Sequence, residues 1–245
     1  MRVKITFLRD QKLSNSLPLH HQKILFQTIK KICEKKSQVI DSINFSSLKG
    51  TAKIQNGFMR FLSTKVTLVV SSENEELVNE LCDCIFEEEY IVVGEMHLIP
   101  KSKEIISDPA FDTRMKYLCI SPLILNTPAV EEDDSQEIID PNSKQFSDVL
   151  YDRVLGHMEK AGYSDEELDK FAEFEAQPDP NYVEKIMQQG KKFARFYKNT
   201  KGQTLTGYLL PFTLHAHPAV HKFIWERGMG AFTNEGYGMV DVVKR

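Results

Sequence analysis

Cysteine is scarce in this 245-residue chain, and its four copies, Cys33, Cys82, Cys84 and Cys119, include no CxxC pair. That spacing argues against zinc ribbons and disulfide frameworks and predicts buried free thiols. Long apolar runs are lacking too. The longest, such as residues 66–70, fall far short of the roughly 20 residues that a membrane span needs. The opening Met1-Arg-Val-Lys-Ile-Thr6 has neither the apolar centre nor the small-residue cleavage site of a secretory leader, so a cytoplasmic protein is expected. Nor is there a basic excess, since the formal net charge is -4, which speaks against a polyanionic partner until the distribution is read. Residues 131–184 hold 17 acidic and 4 basic side chains, a balance of -13, which leaves +9 on the rest. A basic body with one acidic insertion permits RNA binding, and a merely solubilising charge run is the plain alternative.

What is present is a regular order of elements. With 41% hydrophobic residues the chain can bury one large core or two small ones, and its length leans towards two. Residues 1–8 alternate as a strand. Residues 19–33 carry Leu25, Ile29 and Ile32 at helical spacing, with Pro18 near the start. Residues 53–61 form a hairpin signal around Asn56-Gly57, the pair suited to a type I′ turn, and residues 64–71 continue as a strand. Residues 73–88 read as a helix capped by Ser71 or Ser72, and residues 91–106 as a strand pair. This is a βαββαβ order. Beyond a linker at residues 107–112 it recurs as strand 115–121, helix 144–161, strands 191–198 and 204–215, helix 218–227 and strand 237–243, with an acidic loop at 128–141. The expectation is an α+β chain of two tandem ferredoxin-like domains, residues 1–110 and 111–245, the second carrying the acidic insertion and a glycine-rich loop.

That loop, Gly228-Met-Gly-Ala-Phe-Thr-Asn-Glu-Gly-Tyr-Gly238, follows a helix and precedes a strand. The dinucleotide fingerprint has the reverse order and is excluded. Gly228, Gly230, Gly236 and Gly238 admit positive φ and the turning of amide N–H groups towards an anion. Together with Met1-Arg-Val-Lys-Ile-Thr-Phe-Leu8, Leu17-Pro-Leu-His-His-Gln22 and Tyr117-Leu-Cys-Ile-Ser-Pro-Leu-Ile124, this ending resembles the CRISPR-associated repeat-processing endoribonuclease family of the RAMP superfamily. The resemblance spans nearly the whole chain. It implies binding of CRISPR repeat RNA, as precursor and as mature guide, and metal-independent cleavage by the 2′-hydroxyl that leaves a 2′,3′-cyclic phosphate and a 5′-hydroxyl. It allows contacts with other CRISPR effector subunits and leaves monomer and homodimer open. No cofactor and no membrane partner are expected.

Such cleavage needs a base, an acid and a charge stabiliser. His20 and His21 are the candidate proton carriers near neutral pH. Helical projection puts His20 beside Lys23, Gln27 and Lys31 on the polar side and His21 towards Leu25, Ile29 and Ile32. The resemblance favours the other member, since some relatives carry a catalytic histidine followed by glutamine, as His21-Gln22 does here. Both stay open, against capping or packing roles. Lys30 falls where many relatives have a catalytic tyrosine and would supply positive charge, or be an ordinary solvated lysine. Many relatives place a histidine in the loop after this helix, and residues 35–45 contain none. A catalytically silent repeat binder that retains guide RNA is therefore a second reading.

For RNA contact the resemblance points to Lys192, Arg195 and Arg227 with Gly228, Gly230, Gly236 and Gly238, whereas a regular strand would let only one of Lys192 and Arg195 face the phosphates. Phe232 and Tyr237 either stack on a base or anchor the loop. His215, His217 and His221 suggest zinc, but no nearby Cys or carboxylate completes a site. A zinc or small-molecule protein on this scaffold is the third reading.

Overall fold

The computed structural model describes residues 1–34, 42–125 and 138–243. Two compact units emerge, one of Met1–Ser107 with Asn234–Gly236, the other of the described residues from Asp108 to Thr233 and from Tyr237 onward.

The first unit contains β1 (Arg2–Arg9), β2 (Ser16–Pro18), α1 (Gln22–Glu34), β3 (Asn44–Phe45), β4 (Ala52–Gln55), β5 (Phe58–Phe61), β6 (Lys65–Ser71), α2 (Glu75–Glu87), β7 (Ile91–Val93) and β8 (Met96–Ile105). Its main sheet runs β3-β6-β1-β8-β7 and is antiparallel throughout. Along β1, Val3, Ile5 and Phe7 are buried with Leu25, Ile29 and Ile32 of α1 and Leu81 and Ile85 of α2, so period 2 meets period 3.6 across one core. The order of β3, β6, β1 and β8 is that of a ferredoxin-like sheet, with β7 added at the edge.

Three expectations are corrected here. The Asn56-Gly57 hairpin has positive φ at both residues, 50° and 76°, as a type I′ turn requires. Yet β4 and β5 pair with β2 in a separate sheet, and the second strand of the main sheet is the two-residue β3. The cap of α2 is Asn74, not Ser71 or Ser72, because its side chain accepts from the Glu76 and Leu77 amides. Helix α1 starts at Gln22 rather than residue 19, since Ser16–Pro18 is drawn into pairing with β5; Pro18 is tolerated at that sheet edge.

The second unit contains β9 (Arg114–Cys119), β10 (Leu123–Ile124), α3 (Lys144–Lys160), α4 (Asp165–Leu168), β11 (Phe174–Pro178), α5 (Pro180–Gln188), β12 (Ala194–Lys198), β13 (Thr204–Tyr208), β14 (Pro211–Ala216), α6 (Pro218–Arg227) and β15 (Val240–Val242). Its main sheet runs β11-β14-β9-β15. Met115, Tyr117 and Cys119 point into a core shared with Phe146, Leu150 and Val154 of α3 and Val220 and Ile224 of α6. The fold is thus α+β with tandem ferredoxin-like halves. The expected strand 204–215 is two strands in different sheets: β13 joins β12 and β10, and β14 joins the main sheet. Its expected partner 191–198 is replaced there by β11, which lies inside the acidic region. Residues 128–137, most of the expected acidic loop, lie outside the described residues.

Candidate functional site

His20 and His21 sit between the end of β2 and the first turn of α1, held by the Leu19 amide donating to the Gly57 carbonyl at 2.8 Å. His20 is exposed. His21 is 2% exposed; its carbonyl accepts the Leu25 amide and its Nε2 accepts the Leu48 N–H at 3.1 Å. Its proton therefore belongs on Nδ1. Burial pulls its pKa from 6.5 down to about 4, against the opposing pull of the Pro18 and Leu19 carbonyls. A ring whose Nε2 is occupied by a backbone amide is a structural acceptor. Beside it the Gln22 side-chain amide donates to the Gly236 carbonyl, and a Cβ on Gly236 would meet the Phe45 ring at 2.1 Å. Lys30 is not part of this cluster. It lies eight residues beyond Gln22, about 12 Å along the helix, exposed and paired with Glu34 at 3.6 Å.

The remaining glycines belong to the second unit and use their freedom for close chain packing. Gly228 has φ 76° and closes α6 by donating to Ile224. A Cβ on Gly230 would stand 2.4 Å from the Ile124 carbonyl oxygen, and one on Gly238 1.8 Å from that of Met229. The Gly238 amide donates to Pro122. The amides of Gly228 and Gly238 are consequently spent inside the protein and cannot grip an anion, a correction to the expected role of these two. Tyr237 is 1% exposed and its hydroxyl donates to the Lys198 carbonyl, so it anchors the loop. It packs edge-on against Tyr197 of β12, centroids 6.1 Å apart, in a small cluster with Ile124, Leu205 and Ala231. That cluster fastens the basic β12–β13 hairpin to the glycine-rich loop.

Arg195 is exposed on β12, and Lys192 is exposed just before the strand begins, so strand alternation does not force a choice between them. Arg227 is half-buried, its charge helping to depress the pKa of His157 after the larger effects of burial, Lys160 and Arg153. The three clustered histidines diverge. His215 is exposed, His217 accepts the Ala219 amide through Nδ1, and His221 is fully buried with Nδ1 3.0 Å from the Tyr117 hydroxyl. Among the described residues no group of three or more His, Cys, Asp or Glu side chains could hold a metal ion, and no helix is long and apolar enough to cross a membrane.

Residues 103–242 match the family model described as CRISPR associated protein Cas6, C-terminal. The chain belongs to the Cas6 family. A Pyrococcus furiosus protein described as a CRISPR-associated endoribonuclease-like protein Cas6 is 25% identical over 194 residues, covering 76% of this chain and 71% of that one. Among solved structures, a Cas6-related protein from Pyrococcus furiosus superposes with TM-score 0.79 at 18% identity, covering 100% of this chain and 99% of the other. A RAMP protein described as binding different RNA substrates gives TM-score 0.78 at 19% identity, with full coverage of both. These two likenesses establish the shared fold. Within it, Gln22 and Leu48, whose contacts fix the geometry around His21, were not among the expected site residues; only the adjacency of Gln22 to the histidines pointed to it.

Proposed function

We propose that this Cas6-family chain binds the repeat of a CRISPR transcript and cleaves it within each repeat without a metal, the 2′-hydroxyl attacking the adjacent phosphate. Atoms balance as a transesterification: the 2′-oxygen–phosphorus bond forms, the phosphorus–5′-oxygen bond breaks, and the products are a 2′,3′-cyclic phosphate and a 5′-hydroxyl. His20 is the proton carrier, and Lys192 and Arg195 contact the phosphate backbone. The observation that carries the assignment is the division of labour between neighbours: His20 is exposed at the start of α1, whereas the His21 Nε2 is already taken by the Leu48 amide.

In chelator, the protein is expected to cut repeat RNA to cyclic-phosphate ends, and a 2′-deoxy substitution at the cut site to block it. His20→Ala should slow cleavage about 10²- to 10⁴-fold with binding retained. His21→Ala should act through folding and lower the melting temperature. Full activity in His20→Ala, with loss in a well-folded His21→Ala, reverses the assignment. The second reading, a repeat binder without turnover, draws support from the same contact, because one exposed histidine leaves either the base or the acid unfilled. Tight binding with intact RNA would select it.

A further inference from the structure

The solvent face of the small β2-β5-β4 sheet carries an unusual juxtaposition. Lys53 of β4 lies directly opposite Arg60 of β5, and Arg60 opposite Ser16 of β2. Directly opposed residues share a face with Cβ atoms about 5 Å apart, where like charges destabilise the pair. Both cations are exposed, and neither makes an ion pair or a side-chain hydrogen bond among the described residues. Two residues along the same face, Phe58 stands opposite Gln55 and Pro18 and is 50% exposed. The reverse face is the one that packs, through Leu17, Phe61 and Met59, into the core of the first unit. His20 follows two residues after Pro18, and the Leu19 amide between them donates to the Gly57 carbonyl at the hairpin tip, which keeps His20 next to this sheet.

An exposed ring for a base and two unneutralised cations for phosphates are the parts of a single-strand platform. Resting on the cleavage reading above, we infer that the Lys53, Phe58 and Arg60 face seats the single-stranded RNA that flanks the scissile phosphate, with Phe58 under a base and the two cations on its backbone.

The test uses the full chain and repeat RNA made uncleavable by a 2′-deoxy at the cut site, with affinity followed by fluorescence anisotropy at several salt concentrations. Lys53→Gln with Arg60→Gln should weaken binding about ten-fold and make the slope of log K on log salt shallower by about 1.4, at roughly 0.7 per single-strand phosphate. Phe58→Ala should cost about ten-fold with the slope unchanged. The difference between parent and variants should vanish for RNA trimmed on one side of the cut site and persist for RNA trimmed on the other. Parent-like affinity in both variants, or losses that persist on both trimmed RNAs, overturns the inference and leaves the cleavage reading standing. Failure of the unaltered protein to bind the full repeat overturns both.

Discussion

The two units solve one packing problem with the same insertion and put it to different uses. Each inserts a hairpin between the second and third strands of its main sheet, β4–β5 in the first and β12–β13 in the second, and each hairpin leaves that sheet for a small three-stranded one. In the first unit the outer face stays open, with Lys53, Phe58 and Arg60 exposed. In the second, Tyr197 and Leu205 are buried with Ala231 and Tyr237 of the glycine-rich loop. The duplicated architecture therefore dictates where a side sheet grows, and the side chains decide whether it remains a surface or becomes a support. The units also share a buried histidine, His21 in one and His221 in the other, each with its pKa lowered chiefly by burial.

The sharpest way to break this comparison is Gly238→Ala in the supporting loop. The new methyl would stand 1.8 Å from the Met229 oxygen at φ +71°, and a backbone atom cannot swing aside as a side chain can. A loss of about 4 kcal/mol or more is expected in denaturant unfolding. Next in size is a pH effect confined to His21. Its folded pKa is depressed, so below about 6.5 the unfolded chain takes up a proton that the native ring refuses. Stability is complete above pH 6.5 and falls towards pH 4, by on the order of 3 kcal/mol across that window. His21→Gln, which keeps an acceptor for Leu48, should flatten that part of the stability profile. Smallest is alanine at the hairpin turns. Gly57 and Gly202 have φ of +76° and +81° with open space around the missing Cβ, so each should cost only about 1 to 2 kcal/mol, the left-handed penalty alone. Equal costs at the two turns, beside the far larger one at Gly238, would separate backbone conformation from close packing.

The elements themselves were largely legible from sequence, and the sheet assignments were not. Hairpin 53–61 was recognisable from Asn56-Gly57, but β3 has two residues and β11 reads Phe-Glu-Ala-Gln-Pro, too short or too polar to show periodicity. With the true second strands invisible, the hairpins were natural substitutes in both halves. Helix α4 was not among the expected elements, although the Ser164-Asp-Glu-Glu167 stretch that opens it forms a capping box in which the Glu167 carboxylate accepts the Ser164 amide at 2.9 Å. The projection that exposed His20 and buried His21 agreed with the structure although both precede the helix, because the turn out of β2 directs them the same way. Positive φ at the glycines was foreseeable. Whether their amides face a ligand or the chain depends on partners such as Pro122 and Ile224, distant or merely adjacent in sequence, that no local pattern reveals.

All four sulfur atoms lie in buried residues, and burial pushes Cys33 up to about 12 and Cys82 up to about 11. The folded protein is thereby nearly silent to thiol reagents, which react with thiolates. A fluorophore attached through Gln55→Cys, directly opposite Phe58 on the same exposed face, would consequently report from one place, turning an otherwise unremarkable set of interior thiols into a dark background for watching RNA arrive.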